Sequence, residues 1–135
     1  MLLDRLKYKN TSSIEVGYFK GLLYDNDIPV AQVASWNEFG TDTIPARPFM
    51  RNGINNNRKK WIRLYKDKLI KNKLDIIKTS EYLANIVVGD IKTSIDKTIN
   101  PPNKQSTIAK KKSSHPLIDT GRLKNSITYR IMNNK

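Results

Sequence analysis

Apolar and polar positions alternate from Ser13 to Phe19, with Ile14, Val16 and Tyr18 on one side, which is the period-two pattern of a half-buried strand. The alternation stops at Asp25-Asn26-Asp27-Ile28-Pro29, a turn-forming run whose proline suits a helix start at Val30. From Val30 to Phe39 the spacing becomes helical: Val30, Val33, Ala34 and Asn37 share a face, and Gly40 closes the run as a C-terminal cap. Thr41 to Phe49 carries two prolines and is expected as a loop, after which Met50 to Asn57 opens a second helix. The clear part of that helix follows, where Trp61, Leu64, Tyr65 and Leu69 recur at helical spacing. Its remaining surface is taken by Arg58, Lys59, Lys60, Arg63, Lys66, Lys68 and Lys71.

A third helix is predicted from Ser80 to Ile99, where Leu83, Val87, Ile91 and Ile95 form an i, i+4 stripe supported by Ile86 and Ile99. Thr79 or Ser80 is expected to cap its start, and Asn100-Pro101-Pro102-Asn103 to stop it. Lys104 to His115 has little apolar content, so residues 101–115 are expected as an exposed arm with Thr107-Ile108-Ala109 touching down. Leu117 and Ile118 then re-enter the core, Asp119-Thr120-Gly121-Arg122 makes a turn, and Ser126 to Ile131 alternates as a closing strand.

At 135 residues the chain is expected to form one domain with mobile termini around a single core. It holds no cysteine, which excludes disulfides, thiolate chemistry and cysteine zinc sites and suits a reducing cytoplasm. No run approaches the ~18 apolar residues that span a bilayer, and the N-terminus has no cleavable apolar stretch. A soluble product without membrane partners is therefore expected. The net charge of +13 is placed unevenly, with one excess in residues 51–80 and another in 101–135. Such blocks favour phosphate backbones, acidic protein surfaces or anionic lipid, and Arg58, Lys59, Lys60, Arg63, Lys110, Lys111 and Lys112 are candidates for contact with DNA or an acidic partner. Lysine, however, supplies 18 of the 25 cations, and a solvated lysine face is the commoner reason for such a pattern.

Little here suggests catalysis. Asp119-Thr120-Gly121 is the tripeptide of aspartic proteases, but Arg122 follows where those enzymes place a small residue, and helices dominate the middle of the chain. A capping turn with a positive φ at Gly121 is the better reading. His115 is the one histidine and lacks companions for a metal shell. Glu38 has no second placed carboxylate, and pairing with Arg47 is expected instead. The glycines form no phosphate-cradling pattern, and no cofactor is expected. The aromatics Trp36, Phe39, Phe49, Trp61, Tyr65 and Tyr82 are expected in core packing.

Two segments remain to be explained. Glu38-Phe39-Gly40-Thr41 runs into Ala46-Arg47-Pro48-Phe49-Met50, and Pro101-Pro102-Asn103, Thr107 to Lys110 and Pro116 to Leu123 follow in order. Together this ordered set resembles the small phage virion-morphogenesis proteins of the head-tail connector, neck and tail-completion class. The resemblance runs from about Ser12 to Ile131. It implies an α+β fold, a small antiparallel sheet packed by two or three helices with long loops. It also implies a non-enzymatic minor tail or neck protein that forms a homo-oligomeric ring, with a hexamer as one candidate, at the head-tail junction or tail end. Its partners would be other connector or tail proteins and, non-specifically, the packaged DNA. Its place would be the virion, after synthesis in the bacterial cytoplasm. A closed ring needs heterologous contacts, and loops held by proline offer them at low ordering cost. Glu38, Phe39, Gly40, Arg47, Pro48, Phe49, Pro116, Leu117, Asp119, Thr120, Gly121, Arg122 and Leu123 are the expected contact residues. A free basic nucleic-acid-binding protein is the alternative.

Overall fold

A computed structural model describes residues 11–98 and 121–134, which form four helices and a two-stranded antiparallel sheet, an α+β architecture. Strand β1 (Thr11–Gly17) is followed by α1 (Val30–Phe39), α2 (Phe49–Lys71), α3 (Ile76–Lys97), the one-turn α4 (Arg122–Asn125) and β2 (Thr128–Asn134). The arm expected at 101–115, the touch-down at Thr107 to Ala109, the proline stop at Pro101 and the re-entry of Leu117 and Ile118 lie outside the described residues.

The long α2 and α3 make a helical hairpin, tied near its open end where Ser94 Oγ donates to the Phe49 carbonyl at 2.6 Å. Midway, Trp61 Nε1 and Lys60 Nζ both reach Asp90 Oδ2, each at 2.7 Å. The helices approach closely at Gly53, where a methyl group would sit 2.6 Å from Ile91 Cδ1. At the closed end the chain turns without glycine. The Leu74 N–H donates to the Leu69 carbonyl and the Lys73 N–H to the Ile70 carbonyl, a Schellman closure with Lys73 at φ 52° and Leu74 at φ 66°. Lys73 therefore holds the left-handed position that glycine fills without steric cost. Lys73→Gly is expected to stabilise the protein by about 0.5–1 kcal/mol, the relief of left-handed strain exceeding the added unfolded-state entropy. A higher urea midpoint at unchanged slope would establish it, and a lower one would refute it.

The cap of α3 is Asp75, whose side chain accepts from the Lys78 N–H at 3.0 Å, so the helix begins before the expected Thr79 or Ser80. Both hydroxyl residues are buried inside its first turns instead. Thr79 Oγ1 donates to the Asp75 carbonyl and accepts from Asn72 Nδ2, and Ser80 accepts from Ser12 Oγ of β1.

The sheet pairs Ile14 with Ile131, Glu15 with Arg130 and Val16 with Tyr129, so the two alternating patterns match in register, and it packs on α3. Its outer side carries the Glu15–Arg130 ion pair, at 2.6 Å. Val30, Ala34, Phe49, Ile91, Ile95, Leu123 and Ile127 form the buried cluster, drawn from α1, α2, α3 and the segment that leads into β2.

Candidate functional site

Pro48 stands before α2 and supplies no side-chain cap, so the first N–H groups of that helix need an acceptor from elsewhere. Glu38 provides it from the last turn of α1. Its Oε2 accepts from the Met50 N–H at 2.8 Å, and its Oε1 accepts from the Arg51 N–H at 3.1 Å and from Arg51 Nε at 2.9 Å. Arg51 closes the clamp by donating through Nη2 to the Glu38 carbonyl at 2.8 Å and lies 5.4 Å over the Phe39 ring. A carboxylate at a helix N-terminus is favoured by both the free N–H groups and the helix dipole. Among the described contacts Glu38 is held by Arg51, where Arg47 was the expected partner.

Between the two halves of this segment, Gly40 adopts φ 77° and its N–H donates to the Trp36 carbonyl, ending α1 as expected. A methyl group there would meet the Ala46 nitrogen at 2.9 Å. The Arg47 N–H donates to the Asn37 carbonyl at 2.6 Å, pinning the returning loop to α1. The Arg47 side chain is buried, and burial lowers its guanidinium pKa from the ordinary value.

The second segment arrives beside the first. Gly121 takes φ 75°, the expected positive value, and opens the turn of α4. Leu123 is buried against the same cluster as Phe49, and its carbonyl accepts from the Tyr18 hydroxyl at 2.8 Å. The Tyr18 ring meets Phe49 edge-on, with centroids 6.5 Å apart. Burial first, with smaller contributions from Tyr24 and Glu38, pushes the Tyr18 phenol above its usual pKa, so it remains a donor. Arg122 donates to the Leu23 carbonyl at 2.8 Å and faces Asp25 at 3.6 Å, and Lys124 pairs with Asp96 at 2.6 Å.

The fold therefore brings the two segments together, joined through Tyr18, but turns several expected contact side chains inward. Glu38, Arg47, Phe49 and Leu123 are buried within the chain, and Pro48 is partly buried. The surface they support presents Phe39, 67% exposed, and Arg122. Phe39 departs from the expected core packing because α1 turns its opposite face to the cluster. Pro116, Leu117, Asp119 and Thr120 lie outside the described residues, as do Lys110, Lys111, Lys112 and His115. Of the basic candidates on α2, Arg58, Lys59 and Arg63 are exposed and make no ion pair among the described residues, whereas Lys60 is held by Asp90. Lys68 lies 4.6 Å over the Tyr82 ring, which spends one more cation inside the hairpin.

Sequence reasoning missed Tyr18 and Arg51 as members of this site. Tyr18 was legible only as an apolar strand position, although a buried tyrosine needs an acceptor. Arg51 carries no local signal, since its partner is thirteen residues away and is reached through a loop. Among the described residues no three histidine, cysteine or carboxylate side chains gather as a metal would require, and no helix is long and apolar enough to cross a membrane. A polar recess of about 600 Å³ between α2 and α3, lined by Asn52, Asn56, Asn57 and Asp90 among others, holds amides and a carboxylate already committed to Trp61 and Lys60. Comparison with family models, with curated proteins and with solved structures finds no match to this chain.

Proposed function

We propose that this chain is a non-enzymatic assembly protein of a tailed-phage virion, made in the bacterial cytoplasm and built as a ring into the neck, head-tail junction or tail end. The supporting observation is how the two characteristic segments spend their chemistry. The Glu38 carboxylate closes a helix end, Arg47 and Leu123 are internal, and the Gly40 and Gly121 turns fix backbone shape. Those groups brace a surface, and the described residues of the two segments present no poised acid, base or nucleophile upon it. Such an arrangement suits a protein whose activity is geometric, a rigid set of loops that meets neighbouring copies or other virion components.

Deleting the gene from the producing phage or prophage is the direct test. Heads and tails that accumulate unjoined, or tails of aberrant length, by electron microscopy would support the assignment, together with this chain in the mass spectrum of normal particles. Infectious particles of normal appearance from the deletion, or absence of the chain from particles and their assembly intermediates, would overturn it.

The exposed cations of α2 favour a second reading, a free nucleic-acid-binding protein. Tight binding of the isolated chain to duplex DNA that weakens steeply between low and physiological salt would support that alternative over the assembly role.

A further inference from the structure

Among the described residues the exposed large apolar side chains, Met132 apart, fall into two groups that the charges also separate. Leu22, Leu23 and Phe39 lie on α1 and the turns at its ends, whereas Ile62 and Ile70 lie on the outer face of α2 and Ile77 at the start of α3. Between Gly21 and Ala46 the chain has four carboxylates and no lysine or arginine, and with Glu38 internal and Asp25 facing Arg122, Asp27 and Asp42 remain as the unpaired surface anions among the described residues, while Arg51 flanks the Phe39 ring. Between Phe49 and Lys73 it has nine cations and one carboxylate. The exposed side of α1, at Ala31, Ser35 and Phe39, is uncharged and small apart from the phenylalanine. On α2, Arg58, Ile62, Lys66 and Ile70 form one i, i+4 row, alternating cation and isoleucine, with Ile62 51% and Ile70 73% exposed.

These two surfaces sit at different ends of the molecule. Arg51 joins α2 to the last turn of α1, and Ile62 to Ile70 lie about 16–28 Å farther along α2 at ~1.5 Å per residue. Resting on the ring reading above, we propose that the α1 surface of one subunit docks on the outer face of α2 in the next copy. That head-to-tail contact sets anions against cations and covers both apolar groups at once. A two-fold contact of the α2 face with itself would oppose like charges. DNA phosphates would satisfy the cations but leave Ile62, Ile70 and the whole α1 group uncovered, so a second copy fits better than a polyanion.

A charge-exchange experiment on the full chain tests this contact. One variant carries Asp25→Lys and Asp42→Lys, the other Arg58→Glu and Lys66→Glu, all at exposed sites, with circular dichroism checking that each folds. By mass photometry and sedimentation, each variant alone is expected to self-associate at least about tenfold more weakly than the parent. An equimolar mixture restores both kinds of contact in alternating order, so association should return to within about threefold of the parent. Raised salt should weaken the parent assembly. If the parent assembles and both variants assemble as well as it does, or the mixture is not restored, this interface is wrong while the ring reading stands. If the parent stays monomeric at all accessible concentrations, the ring reading fails first.

Discussion

Glu38→Ala is expected to lower the unfolding free energy by about 2–4 kcal/mol, a large share of the roughly 5–15 kcal/mol that holds a domain of this size. Alanine removes the acceptor from two N–H groups at the start of α2 and from Arg51 Nε, none of which has an intrahelical replacement. Loss of a helix cap alone costs about 0.5–2 kcal/mol, and a charged, nearly buried acceptor serving two N–H groups raises the figure. The pairing with Arg51 adds little, because that side chain is 55% exposed and screened by water. Most of the effect should therefore persist in high salt. Glu38→Gln, which keeps one acceptor oxygen and the shape, should recover a substantial part, and Arg51→Ala should cost far less than Glu38→Ala. Urea titration of the three variants at two salt concentrations decides the matter. Equal losses from Glu38→Ala and Arg51→Ala would show that the ion pair, not the capping, matters.

That capping also explains how the first half of α2 forms despite its composition. Met50 to Asn57 contains Gly53 and four asparagines, a poor helical composition with only Met50 and Ile54 as apolar positions four apart. Glu38 supplies the missing start, and the absence of a side chain at Gly53 lets α3 approach. Neither cause is visible locally. The bounds of α1 were readable to the residue, because Pro29 and Gly40 mark both ends by backbone constraint. The stripe on α3 was readable for the same kind of reason, since Ile91 and Ile95 are buried and four residues apart. Its true start escaped because a lysine and a leucine occupy positions where glycine would announce a stop.

The shape of the two segments was legible in the sequence, and the burial of Glu38, Arg47, Phe49 and Leu123 was not. The proline and glycine of each segment correctly marked shaped backbone, at Gly40 and Gly121 above all. Which side chains turn outward is a tertiary property, set here by the approach of the α4 turn to α1 and by Tyr18 reaching across from the end of β1. A residue such as Phe49 in a shaped loop is equally compatible with gripping a neighbour and with anchoring the loop, and burial alone separates the two.

Phe49→Ala should be the most damaging single substitution among these residues, at about 3–5 kcal/mol. The ring is 1% exposed, meets Tyr18 edge-on and fills the cluster between α1, α3 and Leu123, so truncation leaves a cavity that several elements must collapse to fill. Collapse is restricted because the Phe49 carbonyl is held by Ser94 and the next two N–H groups are held by Glu38. Phe39→Ala provides the contrast. Phe39 is exposed and loses only its contact with the Arg51 guanidinium, about 0.5–1 kcal/mol, so its melting temperature should stay close to the parent's. If the bracing account is right, Phe49→Ala weakens assembly and stability together, with assembly recovering on cooling or on second-site stabilisation. Phe39→Ala weakens assembly while stability is retained. Parallel thermal melts and sedimentation of the two variants separate folding from docking, and a Phe49→Ala protein that melts like the parent yet fails to assemble would return that ring to the subunit contact.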